Sequence, residues 1–352
     1  MRASQLRRTE ATREQVRVLI VKLSSLGDVV HAMPVVHDIR GAFPDASIDW
    51  VVEPGFAPLV RRVDGIAETI ECALRRWSKV WWRSDVRAEW RSFRTRLKRD
   101  HYDAVIDLQG LTKSALIARS ARGVSYGLAN RTDGASHEAP ARWLVDHAIR
   151  IEPRVHALDR SRMLSALALG YELRGAPQFG LQAHAIADAL TQQTIVFVHG
   201  TSRDDKLWPE AAWIEIGQRL VAQGRRIALP HAGPVELERA QRIAAAIGGA
   251  AVVWPAMSLD AIVDRLGGTA GVIGVDSGLS HIAVALDLPH VQIYNFPTAW
   301  RTGPQPEHGH RHQVSVQAQP TPTVDAVWAA WTTVEQAAAK VSGPDVERAV
   351  PR

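Results

Sequence analysis

The stretch VRVLIVKLSSLGDVVHAMPVV, residues 16 to 36, decides how the chain is read. Residues 16–21 are a short β-branched apolar run, the composition of a strand buried on both faces. Lys22, Leu23, Ser24, Ser25, Leu26 and Gly27 make a tight loop rich in backbone and hydroxyl donors. Asp28 then opens a segment in which Val29, Met33 and Val36 share one helical face. A carboxylate is therefore expected where a parallel strand hands over to a helix, the edge at which open α/β sheets bind ligands. The same spacing also suits Asp28 as a helix N-cap. Pro34 falls inside the helical pattern and predicts a kink, because it lacks an N–H and crowds the preceding turn.

Working outward, 352 residues exceed what one hydrophobic core usually spans, so two domains are expected. An apolar content of 46% and a charged content of 22% fit a globular enzyme. The single cysteine, Cys72, excludes an internal disulfide framework and suits a reducing, cytoplasmic compartment. No run is long enough to cross a bilayer. Residues 1–15 carry Arg2, Arg7, Arg8 and Arg13 without an apolar core, and read as a disordered extension rather than a secretory signal. A net charge of +5 points to an anionic partner: phosphate, lipid head group or nucleic acid.

Strand patterns recur at residues 47–52, 103–108 and 122–128, with helices at 111–119 and 155–169. Gln109 and Gly110 close the 103–108 strand, where a polar side chain and a glycine suit either a site edge or loop capping. The segment 130–146 is polar, with Arg131, His137 and Arg142, and shows no clear period. Between Arg75 and Arg99 lie ten Lys or Arg residues against two acids, interleaved with Trp77, Trp81, Trp82 and Trp90. Val86, Trp90, Phe93 and Leu97 follow helical spacing, so the later part is an amphipathic helix with basic outer faces. The earlier part, RRWSKVWWR, combines indoles and cations as anionic lipid surfaces favour.

A boundary is expected within residues 171–193, which contain Gly175, Pro177 and Gly180 without strong periodicity. Strand patterns resume at 194–198, 226–229, 251–253, 271–275 and 290–293, with helices starting near Pro209, Val235, Ser258 and Ser277. Repeated βα units predict parallel sheets in two Rossmann-like domains. Three loops fall at strand carboxyl ends. HGTSRDDKLWP, residues 199–209, offers hydroxyls and cations; GVDSGLSH, residues 274–281, runs into a helix N-terminus suited to phosphate. In PHAGPVE, residues 230–236, Glu236 can meet a ribose hydroxyl pair. Together they point to a nucleotide. No GxGxxG follows a strand and no P-loop is present, which argues against a dinucleotide dehydrogenase or an NTPase. His308, His310 and His312 form a short cluster of the kind that rarely holds a metal. Val324, Val327, Trp328, Trp331 and Val334 make a helical stripe that needs a surface to cover.

Five stretches, VLIVKLSSLGDVVHAMP, RRWSKVWW, YDAVIDLQGLTKSAL, TSRDDKLWP and VDSGLSHIAVALDLP, closely resemble the lipopolysaccharide heptosyltransferases of glycosyltransferase family 9. The resemblance implies a GT-B fold: α/β, with two Rossmann-like domains facing across a cleft. An acceptor domain is then expected at 16–182, a nucleotide-sugar domain at 190–322, and a helix at 323–342 crossing back to the first domain. It implies an ADP-heptose donor, a Kdo2-lipid A acceptor at the cytoplasmic face of the inner membrane, inverting transfer, and no required metal. On these residues Asp28 is expected as general base. Lys206, Thr201 and Ser202 are expected on the donor phosphates, and Asp276, Ser277, Gly278 and His281 around the pyrophosphate. Glu236 falls to the ribose and Met257 to the adenine, while Ser24, Ser25, Gly27, Arg75, Arg76, Gln109, Arg131 and Arg142 are acceptor-side candidates. Where relatives often carry a Gly-Pro-Thr loop after the 290–294 strand, this chain has Asn295-Phe296-Pro297-Thr298, which puts donor contacts from that loop in question. Extension of an existing heptose is the alternative within this chemistry. A non-catalytic nucleotide or nucleic-acid binder is the alternative outside it.

Overall fold

The computed structural model describes residues 15–185 and 188–341. The expected extension at 1–15 thus lies outside the described residues, save Gln15. The chain divides into two compact α/β domains, one ending at Gln182 and the other beginning at Ala183.

The first domain contains a six-stranded parallel sheet: β1 (Arg17–Val21), β2 (Ser47–Val52), β3 (Ile66–Glu71), β4 (His101–Asp107), β5 (Arg122–Leu128) and β6 (His147–Ile149), in the order β3-β2-β1-β4-β5-β6. Residues 18–21 of β1 are fully buried. Each such aliphatic side chain is worth at most about 1.5–3 kcal/mol over exposure. Leu19 and Val21 pack with Trp77, Val86, Phe93, Leu97 and Ile117, from the helices Leu74–Trp77, Ser84–Leu97 and Thr112–Ser120. The helices Leu26–Ala32, Pro34–Ala42 and Ala157–Leu169 pack together. A buried bidentate pair, Arg162 to Asp38 at 2.7 and 2.8 Å, ties the last two. Removing one partner of such a pair typically costs about 3–5 kcal/mol.

The second domain repeats the plan with β7 (Thr194–Val198), β8 (Arg226–Leu229), β9 (Ala251–Val253), β10 (Gly271–Val275), β11 (His290–Tyr294) and β12 (Gln313–Gln317), all parallel in the order β12-β11-β10-β7-β8-β9. In both sheets the first strand lies between the second and the fourth, so each has a topological switch point beside its first strand.

Several expectations change. The helix after β1 starts at Leu26 with Ser25 as N-cap residue, so Asp28 sits in the first turn and is not the cap. Pro34 does more than kink a helix: it opens a second helical segment, where its missing N–H costs nothing. The terminal stripe is covered by the second domain itself, since Val327, Trp331 and Val334 of Val324–Val341 are buried in that domain's core. Trp77 also belongs to a core, at 5.5 Å from both Trp90 and Phe93, while Trp81 and Trp82 stay exposed.

Candidate active site

In the first domain, a cluster of candidate residues is built where β1 ends between β2 and β4. The Lys22 carbonyl accepts a hydrogen bond from Trp50 Nε1 at 3.1 Å. Its buried ammonium donates to the Leu108 carbonyl at 3.2 Å and lies 3.7 Å from Asp28 Oδ1. Gln109 Oε1 accepts from the Leu23 and Ser24 amides at 3.1 and 3.2 Å. Gln109 thus works as a strap on the loop, the capping reading of that residue, and its carbonyl is committed to the backbone. Asp28 Oδ2 accepts from Ser25 N and Oγ at 3.3 and 2.8 Å, a reach-back contact that fixes the carboxylate over the helix start. Arg160, from the helix Ala157–Leu169, brings Nη2 to 3.8 Å from Asp28 Oδ1 and donates through Nη1 to Thr132 Oγ1 at 3.2 Å.

The electrostatics of this cluster follow from its composition. Desolvation works against an ionised Asp28, but Lys22, the Ser25 hydroxyl, Arg160 and His31 outweigh it and hold the carboxyl well below the usual range. Burial pulls the Lys22 ammonium down, and Asp28 and Asp107 restrain the fall. Asp107, buried beneath the loop, is pushed up to about 6 by desolvation, although the Gln109 and Gly110 amides and the Ser114 hydroxyl donate to it. Asp28 is the ionised member of the group, with 38% of its side chain exposed.

In the second domain, a separate cluster lies at the switch point of the sheet. Asp276 follows β10 and precedes the helix Gly278–Ala285, for which Ser277 is the N-cap residue. Thr201 Oγ1 donates to the Asp276 carbonyl at 3.1 Å, and Lys206 Nζ lies 2.6 Å from Asp276 Oδ2. His281 Nε2 is 3.4 Å from Asp276 Oδ1. Burial opposes ionisation of Asp276, but His281 and Lys206 prevail and hold it low. Ser277 Oγ is buried without a protein partner at a helix N-terminus, so a donor hydroxyl and backbone N–H groups stand together where an anion is favoured. The third loop meets the first. A Cβ built on Gly200 would fall 2.5 Å from Glu236 Oε1, and Glu236 Oε2 accepts from the Ala232 amide at 2.7 Å. The loop carrying Thr201 and Lys206 thus meets Asp276, Ser277 and the helix start with Gly278 and His281, and also Glu236 in the first turn of the helix Pro234–Ile247, with Ser202 exposed beside Thr201. Met257 lies on the loop after β9, its Sδ 3.8 Å from Arg265 Nη1, and Arg265 stacks on Trp254 at 4.9 Å.

The acceptor-side candidates divide. Ser24, Ser25 and Gly27 lie within the Asp28 loop. Arg131 is exposed next to Thr132, which holds Arg160. Arg142 is exposed and stacks on Trp143 at 4.5 Å. Arg75 is exposed on the helix after β3, whereas Arg76 is paired with Glu89. Arg83, Arg96 and Arg99 are paired as well, so the basic run is less of an open cationic face than its composition suggests. Sequence reading did not single out Arg160 or Asp107, and quoted Lys22 only as a loop residue. A lysine directly after a buried apolar strand was the one available signal.

Comparison with known proteins accords with this arrangement. The family model "Glycosyltransferase family 9 (heptosyltransferase)" matches residues 90–329. The protein "Lipopolysaccharide heptosyltransferase 1" of Escherichia coli strain K12 is 41% identical over 285 residues, 79% of this chain and 87% of that protein. The solved structure of E. coli heptosyltransferase WaaC with ADP-2-deoxy-2-fluoro heptose superposes with a TM-score of 0.76 at 36% identity, covering 93% of this chain and all of that one. "Lipopolysaccharide heptosyltransferase 2" of E. coli K12 is 24% identical over 303 residues, 79% of this chain and 82% of that protein. The chain belongs to glycosyltransferase family 9, the heptosyltransferase family.

Proposed function

We propose that this protein transfers heptose from ADP-heptose to a Kdo hydroxyl of Kdo2-lipid A, with inversion, in assembly of the lipopolysaccharide inner core. The observation that carries the donor assignment is the relative solved with a fluorinated ADP-heptose, which matches this chain along its length. The first heptose is favoured over the second by 41% identity to a heptosyltransferase 1 against 24% to a heptosyltransferase 2.

Inverting transfer needs a base at the acceptor oxygen and stabilisation of charge on the departing ADP. In this reading the first domain supplies the base. Asp28 is ionised before the acceptor arrives, and Lys22 and Arg160 keep it so. A carboxylate of such low basicity takes the proton late, as the C1–O bond forms. The second domain supplies the anion cradle. Lys206 exchanges Asp276 for the diphosphate, the Ser277 hydroxyl and the helix N-terminus add donors, and Glu236 takes the ribose. These side chains supply cationic and hydrogen-bonding charge stabilisation themselves. The acceptor is lipid-linked and anionic, and the exposed Trp81 and Trp82 among Arg75 and Lys79 suit peripheral attachment to the inner leaflet.

The test uses purified protein with ADP-heptose and either Kdo2-lipid A or its heptosylated form. Turnover on the unheptosylated acceptor is expected, and turnover only on the heptosylated one overturns the assignment. Asp28→Ala should retain ADP affinity within about twofold while kcat falls roughly 10²–10⁴-fold. Unimpaired turnover would remove Asp28 from the mechanism.

A further inference from the structure

The loop that carries Lys206 has little of its own to hold it. Asp204–Lys206 is a single 3-10 turn, closed by the bonds from Lys206 N to Arg203 O and Leu207 N to Asp204 O, and flanked by exposed residues 202–205. Yet Lys206 Nζ must reach Asp276, and a long flexible lysine side chain already carries rotamer entropy that a wandering backbone would compound. The anchor comes from the loop in which this chain departs from the Gly-Pro-Thr pattern. Asn295, the residue after β11 and nearly buried, donates both amide hydrogens of Nδ2, one to the Asp205 carbonyl and one to the Leu207 carbonyl, each at 2.9 Å. Its Oδ1 accepts from Thr321 Oγ1 at 2.7 Å. Two carbonyl acceptors on one side and a hydroxyl donor on the other leave a single sensible orientation for the amide.

We propose that Asn295 is a positioning residue, which clamps the backbone on either side of Lys206 and so sets the ammonium for the donor diphosphate. The clamp couples three strand ends. β11 supplies Asn295, the loop after β7 supplies Lys206, and Asp276 after β10 receives it, its own amide bonded to the Ile293 carbonyl at 3.2 Å. This inference rests on the donor-phosphate reading of Lys206 for its catalytic consequence, but not for the clamp itself.

Asn295→Asp is nearly isosteric and turns a carboxylate oxygen onto two carbonyls, so it breaks the clamp with little change of volume. Two readouts separate the clamp from the reading it rests on. Limited trypsin digestion of the folded protein reports the loop directly, because Arg203 and Lys206 are cleavage sites within it. Cleavage there should quicken at least fivefold in Asn295→Asp while the thermal midpoint stays within a few degrees, and Asn295→Gln, which keeps the amide, should recover part of the protection. Unchanged cleavage overturns the clamp. Steady-state kinetics then report the consequence: kcat/KM for ADP-heptose should fall about tenfold with KM for the acceptor unmoved. In a Lys206→Ala background the same substitution should cost less than twofold, because residues acting through one group are not additive. A full tenfold loss in that background overturns the positioning role. If Lys206→Ala is itself fully active while cleavage quickens, the donor reading of Lys206 is what fails and the clamp stands.

Discussion

Lys22 is the residue on which the chemistry of the first domain turns. A lysine with 2% of its side chain exposed is costly, and burial draws its proton affinity down. It is tolerated because the Leu108 carbonyl accepts from it and Asp28 faces it. The benefit falls to Asp28, whose folded-state pKa lies below its unfolded value of 3.8. A depressed carboxylate stabilises the fold above its unfolded pKa, and that contribution is lost as pH falls through the folded value. In the proposed role of Asp28 as base the same sign applies, and protonation that silences it sets in only well into the acid range. Replacing Lys22 by methionine removes the nearest cation and leaves Arg160 at 3.8 Å. The carboxylate then binds its proton more tightly, so the acid limb of kcat/KM should move to higher pH by about one unit. A pH–rate profile of Lys22→Met against the parent measures it, and coincident acid limbs would show that Lys22 does not tune this group.

At the scale of elements, the second domain depends on how closely the loop after β7 approaches the helix Pro234–Ile247. Gly200 is the contact point. Its missing Cβ leaves room for a Glu236 carboxylate already held by the Ala232 amide. In Gly200→Ala the added methyl would sit 2.5 Å from Oε1, so the carboxylate must swing aside. Because the displaced atoms end a flexible side chain, stability should change little. If Glu236 holds the donor ribose as proposed, KM for ADP-heptose rises about three- to tenfold, with a smaller effect on kcat. Titration of ADP by calorimetry, beside the kinetics, checks both. The sequence made these loops visible because the strands before them, TIVFV and GVIGV, are short apolar runs buried throughout. Strands β3, β6 and β12, three of the four edge strands, escaped the same reading, whereas the fourth, β9, showed as the apolar run AVV. IAETIE and QVSVQ keep one side toward solvent and so carry glutamate and glutamine where an inner strand carries valine, and HAI is too short to show a period. Asp28, Lys206 and Asp276 were legible because each lies in a loop next to such a run. Arg160 and Asn295 were not. Arg160 reaches Asp28, and Asn295 the carbonyls that flank Lys206, from elements distant in sequence, and only the tertiary fold brings them there.

For the whole molecule, the ten Lys and Arg residues between Arg75 and Arg99 overstate the unpaired cationic surface of that run. Internal pairing accounts for Arg76 with Glu89, Arg83 with Asp85 and Arg96 with Glu68. Half of the tryptophan content of the basic run belongs to a core: Trp77 is buried and Trp90 packs against it. Outward remain Trp81 and Trp82, 66% and 60% exposed, with exposed Arg75 and Lys79 close by in sequence and exposed Arg87, Arg91, Arg94 and Lys98 along the following helix. No described helix is long and apolar enough to cross a membrane, so attachment in the proposed reading rests on this interfacial segment. Indoles contribute apolar insertion that salt does not screen, and each cation near an anionic leaflet adds about 1 kcal/mol that salt does screen. The double substitution Trp81→Ser, Trp82→Ser should therefore lower binding to phosphatidylglycerol-containing vesicles at least tenfold and leave a remnant that high salt abolishes. ADP affinity and turnover on a delipidated, soluble Kdo acceptor should match the parent, while turnover on acceptor embedded in vesicles falls. Vesicle co-sedimentation with both assays decides the matter. Equal loss on soluble and embedded acceptor would mean that the tryptophans serve the sugar site instead, and undiminished vesicle binding would place the membrane contact elsewhere on the protein.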